Sequence, residues 1–560
     1  MSTLTSSHTK KPHLQPLNRY SGIKYRIAPT TTLIKFSSNQ TSNSNLLKFL
    51  RSSSAKSQVR HLNFTYSLTT PLPNKQFLNA ITRLHSLKKI TIIFENDPFN
   101  EAEHRKKLKV YKKLLTRTKH TTKIIFNCET LQPYHYYPYW KLLALLPSLK
   151  TSILNIRLTS NQYIFKLAKF LNTAQKRRYW LGQKSQILSL HLFPSTHSDQ
   201  SSSSFPFQFK QLADIINSQK IKLHLKLDFV LWNYNEGLGE FQDTLKSLNH
   251  LEKIKILGVG GNTKLELLNS LENNRTLKSL HLPVNTSPSK ILVPLSHSVA
   301  TVHSLTQLSL VFGDMKEVPL IKTFIQQLSG LVHLTHLNID LKSLLKLDGK
   351  IITTFANTFS ELVNLEELNF DCDKHYNALE IKDSLKNVFQ SLARLTKLKK
   401  LTLNCGALDV CIQDESMIIL GESLKGLVNL RYLFLNFSTS KVGNTGLQAL
   451  QEVLGSLKEL EVLNLNLLWC EFYSQEVFLE LVNTIGKLKF LKSLTLGMRV
   501  LEVEQGRMKD LAKMMYQLRS LENCSLRLNF FVKSPGALLQ ELEGSLECLR
   551  IRTVIELFIR

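Results

Sequence analysis

Residues 331–339 read LVHLTHLNI, and the same nine-residue phrase returns as LVNLEELNF at 362–370, LTKLKKLTL at 395–403, LVNLRYLFL at 427–435, LKELEVLNL at 457–465 and LKFLKSLTL at 488–496. Successive starts lie 31, 33, 32, 30 and 31 residues apart. A fixed period in this range marks a repeat architecture, in which each unit is too small to cover its own apolar face and neighbours stack to share one core. The end of each phrase alternates apolar and polar residues, as in Leu401-Thr402-Leu403-Asn404. That period of two predicts a short strand with one buried face. After it the period changes: Leu447, Leu450, Val453, Leu454 and Leu457 form one helical stripe. One unit is therefore strand, turn, helix and return, and strands joined by helical crossovers pair in parallel.

Working outward, VHSLTQLSL (302–310), NRTLKSLHL (274–282) and LNHLEKIKI (248–256) precede the clear block, and LRSLENCSL (518–526) follows it. LHSLKKITI at 84–92 fits well. The stretches near 149–158, 187–193 and 222–229 keep the alternation without the leading leucines. Roughly fifteen units result, degenerate toward the N-terminus. The expected division is a basic Ser/Thr-rich disordered tail over 1–60, degenerate basic repeats and a cap over 61–245, regular repeats over 246–545, and a C-terminal cap over 546–560.

The phrase and its spacing resemble the leucine-rich repeat family, in its long, ribonuclease-inhibitor-like class. The resemblance implies an α/β solenoid: a horseshoe with parallel strands on the concave face and helices on the convex face. It also implies Asn or Cys just after the strand, where this chain has Asn404-Cys405, Asp371-Cys372, Asn436 and Asn466 but Gly497. Lys, Asn, Gln and Phe usage resembles that of protist repeat proteins, ciliates among them.

Charge is uneven. Of the net +29, residues 1–200 carry 32 Lys/Arg against 6 Asp/Glu, and residues 201–560 carry 40 against 37. Residues 1–60 hold 19 Ser/Thr, 10 Lys/Arg and no acid, too little apolar matter to offset the entropy of ordering. Three readings of this tail stand: a solvated tail, a mitochondrial targeting segment, or an anchor on an acidic partner such as RNA or an acidic protein surface. Leu46 to Arg60 is its best helix candidate. The stretch 105–123 reads as an amphipathic helix with a cationic face made of Arg105, Lys106, Lys107, Lys109, Lys112, Lys113, Arg117 and Lys119. Aromatic residues follow at 134–140, and Lys176-Arg177-Arg178 precedes Tyr179-Trp180. Basic residues beside rings suit single-stranded nucleic acid, whereas the competing reading is a solvated helix and a packed cap.

The concave face would present Lys253/Lys255, Ser279/His281, Gln307/Ser309, His336/Asn338/Asp340, Glu367/Asn369/Asp371, Lys400/Thr402/Asn404, Tyr432/Phe434/Asn436, Val462/Asn464/Asn466 and Ser493/Thr495. This row mixes charges, amides and rings, which suits a protein partner. The expected binding residues are His336, Asn338, Asp340, Glu367, Asn369, Asp371, Lys400, Tyr432, Phe434 and Asn464, with Tyr432 and Phe434 as anchors.

Signals for catalysis are thin. The turn Gly258-Val259-Gly260-Gly261 matches neither a dinucleotide nor a phosphate-loop pattern. His333 and His336 lack a third metal ligand. An F-box-like module would need apolar helical periodicity in residues 1–60. The sequence thus predicts no enzyme, cofactor, metal or small-molecule substrate. No apolar run reaches the roughly 18 residues of a membrane span, and the first residues do not read as a secretory signal. The seven cysteines, which form no C-x-x-C pair, read as buried thiols in a reducing compartment. The expectation is an intracellular scaffold in cytoplasm or nucleus, with the mitochondrion held open. The alternative is a subunit of an RNA-containing assembly, anchored by its basic third.

Overall fold

In a computed structural model, the first two leucines of each phrase turn the chain after a helix and the last two enter a strand. Leu331 N donates to Leu328 O and Leu334 N to Leu331 O, closing that turn, and Leu337 and Ile339 then lie within strand His336–Asp340. All four side chains are buried, as are their counterparts in the five other phrases of the clear block, from Leu362 to Leu496. Fully burying such a side chain contributes about 1.5–3 kcal/mol, so the phrase is a burial pattern before it is a strand pattern.

The structure describes the strands and helices named here before residue 205, single residues beside them, residues 205–530 and the strand at 552–559. Excepted from 205–530 are 229–237, 259–268, 273, 285–288, 314–317, 345–346, 374–380, 407–410, 472 and 502–507. The described residues form two compact units that divide near Leu271–Lys278.

In the C-terminal unit the strands are β10 (Ser279–Val284), β11 (Gln307–Phe312), β12 (His336–Asp340), β13 (Glu367–Asp371), β14 (Lys400–Asn404), β15 (Tyr432–Asn436), β16 (Val462–Asn466), β17 (Ser493–Val500), β18 (Asn523–Phe530) and β19 (Arg552–Ile559). Each pairs in parallel with the next, and among the described residues no pairing returns to close a barrel. The register repeats the sequence period: His336 pairs with Glu367, Glu367 with Lys400, Lys400 with Tyr432 and Tyr432 with Val462. Helices Ser289–Ala300, Val318–Gln327, Gly349–Glu361, Lys382–Ser391, Asp414–Leu424, Asn444–Leu454, Gln475–Gly486 and Met508–Gln517 alternate with these strands. This is an open, solenoid-like α/β stack.

The core lies between helices and strands. Phe355 and Phe359, from one helix, meet Phe370 of β13 at centroid distances of 5.8 and 5.7 Å, and Phe312 of β11 meets Phe324 and Phe355 at 6.2 and 5.9 Å. Helix Asn444–Leu454 buries Leu447, Leu450, Val453 and Leu454, the stripe expected of it, while Leu457 is buried in the turn that follows. Helix starts follow side-chain chemistry: Asp348 accepts from Lys350 N at 2.7 Å, satisfying one of the first-turn donors. Arg552–Ile559, in the segment read as a C-terminal cap, is a strand in parallel register with β18. Its β-branched and aromatic residues Thr553, Val554, Ile555 and Phe558 suit a strand.

In the N-terminal unit the strands are β1 (Tyr25–Ala28), β2 (Thr31–Phe36), β3 (Val59–Tyr66), β4 (Lys89–Phe94), β5 (Lys123–Cys128), β6 (Thr151–Leu158), β7 (Ser185–Leu192), β8 (Lys222–Asp228) and β9 (Leu251–Gly258). β1 pairs antiparallel with β2, and β2 to β9 pair in parallel in sequence order. Helices Lys75–Ile81, Phe205–Ser218 and Leu238–Ser247 lie between strands, the last two meeting through Phe209 and Phe241 at 4.8 Å. The alternation noted near 149–158, 187–193 and 222–229 corresponds to β6, β7 and β8.

The β1–β2 pair falls within the segment expected to be a disordered tail. Thr31-Thr32-Leu33-Ile34-Lys35-Phe36 is rich in β-branched residues, a short strand signal inside a Ser/Thr-rich average composition. Val59 and Arg60, placed at the end of a candidate helix, open β3, and Lys123, placed at the end of the cationic helix, opens β5.

Candidate partner-binding face

Side chains alternate along each strand, so the residues between the buried leucines share the opposite, open face. Parallel register then lines them up, strand after strand, at about 4.8 Å. Across β12 to β17 three rows result. His336, Glu367, Lys400, Tyr432, Val462 and Ser493 form the first. Asn338, Asn369, Thr402, Phe434, Asn464 and Thr495 form the second. Asp340, Asp371, Asn404, Asn436, Asn466 and Gly497 form the third. Every residue named for partner binding in this unit therefore lies on one continuous face, and most of them are half-buried.

The first row sets a histidine, an acid, a lysine and a tyrosine side by side. His336 Nε2 lies 3.4 Å from Glu367 Oε1, Glu367 Oε2 lies 3.8 Å from Lys400 Nζ, and Lys400 Nζ stands 5.0 Å from the Tyr432 ring centroid. These partners remain over a third exposed, so each ion pair adds little stability and stays available to a ligand.

The second row begins as an amide relay. Asn369 Nδ2 donates to Asn338 Oδ1, and Asn338 Nδ2 donates to Ser309 Oγ at 2.8 Å. His281 Nδ1 lies 2.8 Å from the same hydroxyl. Phe434 and Asn464 continue the row, with Phe434 next to Tyr432 in sequence phase and facing the same way.

The third row is a ladder serving the fold. Asn404 Nδ2 donates to Asp371 Oδ1 at 3.0 Å, Asn436 Nδ2 to Asn404 Oδ1 at 2.7 Å, and Asn466 Nδ2 to Asn436 Oδ1 at 2.9 Å. The same side-chain oxygens hold the turn after each strand: Asn436 Oδ1 accepts from Ser438 N and Asn466 Oδ1 from Leu468 N, both at 3.2 Å. Asp340 Oδ1 likewise accepts from Lys342 N at 3.0 Å. Asp371 is buried, with Lys342 Nζ 2.9 Å from its second oxygen. Hydrogen bonding to Asp371 raises the pKa of the Lys342 ammonium above the usual lysine value, against the effect of burial. Two carboxylates expected to meet a partner, Asp340 and Asp371, are thus engaged by turns and by one lysine. Lys342 went unnoticed in the sequence; the signal was an Asp followed two residues later by a base at a strand end, the spacing of an Asx turn.

His333 lies exposed in the turn before β12, apart from His336 on the strand. Among the described residues no group of three His, Cys, Asp or Glu is placed to hold a metal ion, and no helix is long and apolar enough to cross a membrane. The basic candidates Arg105, Lys106, Lys107, Lys109, Lys112, Lys113, Arg117, Lys119, Lys176, Arg177 and Arg178 lie outside the described residues, as do the aromatics at 134–140. Cys372, Cys405, Cys411, Cys470 and Cys524 are buried free thiols, and burial pushes Cys411 and Cys524 up to about 12. No protein-family model matches this chain, and no curated protein matches it either.

Proposed function

We propose that the chain is a non-catalytic scaffold of the leucine-rich repeat type that binds a protein partner on the open face of β12 to β16. One observation carries this reading: Tyr432 and Phe434 stand side by side on that face, half-buried, in register with Val462 and Asn464 and flanked by Lys400. Rings held in place by neighbouring strands lose little entropy on contact, and aromatic residues ringed by amides and charges are the usual anchors of protein interfaces. The mixture of signs along the first row favours a partner of mixed charge. In this reading the strands line the concave side of a horseshoe, and the scaffold is intracellular.

The test is affinity capture from lysate with the full chain, with nuclease present, comparing wild type with a Tyr432→Ala/Phe434→Ala variant. Loss of a defined set of proteins in the variant, with unchanged circular dichroism, supports the reading. An identical set from both proteins sinks it.

A second reading, a subunit of an RNA-containing assembly, is favoured by the excess of 32 Lys/Arg over 6 Asp/Glu in residues 1–200. Partners that disappear with nuclease would move the conclusion there.

A further inference from the structure

The two sheets differ in the charge of their strands. The strands of the C-terminal unit carry as many acids as bases: Asp340, Glu367, Asp371 and Glu556 against Lys400, Arg499, Arg527 and Arg552. In the N-terminal unit the only acids in β2 to β9 are Asp228 and Glu252, and every one of these strands brings a Lys, Arg or His.

Register gathers these bases. Arg157 of β6 pairs with His191 of β7, His191 with Lys226 of β8, and Lys226 with Lys255 of β9. Four successive strands therefore place a basic residue type in one transverse row, spaced at about 4.8 Å, in which His191 is buried and Lys226 and Lys255 are half-buried. The row beside it runs Ser189, His224, Lys253. Lys222, His224, Lys226, Lys253 and Lys255 are half-buried on the face opposite Leu223, Leu225, Leu227, Ile254 and Ile256, which are buried. Glu252 offsets part of this charge, 2.8 Å from Lys222 Nζ and 3.8 Å from His224 Nε2. Burial, with Lys253 and Lys222 nearby, holds the His224 pKa below the usual histidine value although Glu252 opposes them.

We propose that this face of β6 to β9 binds the phosphate chain of a single-stranded nucleic acid. Like charges brought together on a sheet cost stability, and a polyanion laid along them releases that cost together with its own counterions. Lysine suits phosphate as a point charge rather than a two-pronged fork. The described side chains on this face include no Phe, Tyr or Trp ring, so the contact reads mainly phosphates and leaves bases largely unread. An acidic protein would want apolar anchors as well, and the anchors of that kind lie on the other unit at Tyr432 and Phe434. This surface uses none of the residues of the cationic stretch at 105–119 and none of those proposed to bind a protein.

The test is fluorescence anisotropy of the full-length chain with a labelled oligouridylate of about twenty nucleotides, titrated at several salt concentrations. A Lys226→Gln/Lys255→Gln variant should bind about tenfold or more weakly, and the slope of log K against log salt should shrink by about 1.4 for two lost phosphate contacts. Lys253→Gln should give a smaller loss of the same kind. Lys425→Gln, an exposed lysine on a helix end of the other unit, should change neither quantity. Unchanged affinity and slope in the double variant, with native circular dichroism, would overturn the proposal even if the chain binds RNA elsewhere. So would no binding by wild type, or equally tight binding of polyglutamate. Should the double variant not fold, the Lys253→Gln slope decides.

Discussion

Gly497 stands in register with Asn466, and a Cβ at that glycine would come within 3.0 Å of Asn466 Oδ1 and 3.1 Å of Leu468 Cγ. The asparagine ladder therefore ends where its last member fills the next position. Asn466 cannot easily move aside, because its amide donates to Asn436 and its oxygen holds Leu468 N. Gly497→Ala should destabilise the C-terminal unit by about 1–3 kcal/mol, as overpacking does. A lower urea midpoint with an unchanged slope would be the signature. A variant as stable as wild type would show that Asn466 yields and that the ladder ends for another reason.

Asn436 and Asn464 are both amides on β15 and β16, yet they should behave differently. Asn436 bonds Asn404 and Asn466 and holds the turn through Ser438 N. Replacing it with Ala leaves two amides and a backbone N–H short of a partner in a half-buried place. The expected loss is about 2–3 kcal/mol. Asn464→Ala touches the open face only and should stay within about 0.5 kcal/mol, while weakening partner capture if the proposed face is right. Equal losses at the two positions would contradict the division between ladder and face.

The stack was legible because four leucine positions per unit must be buried whatever the loops do. Leu395, Leu398, Leu401 and Leu403 state turn and strand in one phrase, and the register at Lys400 and Tyr432 follows from its period. The open face was legible for the same reason, since alternation assigns each residue a side. What escaped was pairing across units. Nothing in Asp340 or Asp371 alone says that Lys342 and a ladder already occupy them. The row from Arg157 to Lys255 spans 98 residues and appears only when four strands are set in register. The strand at 31–36 was hidden by composition, since a Ser/Thr-rich average masks a short β-branched run.

Cys372 Sγ lies 3.2 Å from Cys405 Sγ, both side chains fully buried directly behind the ladder pair Asp371 and Asn404. The hydrogen bond with Cys405 discourages ionisation of Cys372, and burial adds to this, so the Cys372 pKa is well above the usual thiol value. A protonated thiol is a poor nucleophile. In the native protein Cys372, Cys405, Cys411, Cys470 and Cys524 should resist alkylation at neutral pH and label fully in denaturant. Peptide mapping after a timed iodoacetamide pulse reads this site by site. Rapid native labelling of Cys372 or Cys405 would mean that the unit opens locally around β13 and β14.

His224 links acidity to the stability of the N-terminal unit. Its folded pKa is depressed, chiefly by burial, while the unfolded chain takes up the proton at about 6.5. Below that value the unfolded state binds more protons at this residue, so stability declines as pH falls, until the folded pKa is passed. Glu252 works against the decline and Lys222 and Lys253 work with it. His224→Gln keeps a polar side chain without the titration. Its urea midpoint should fall less than that of wild type between about pH 7 and 5.5, and the two curves should run parallel above about pH 7.5, where His224 is neutral in both states. Parallel curves throughout would show that the charged imidazolium is accommodated on the folded sheet. A steeper decline in the variant would show that Glu252, rather than burial, governs this position.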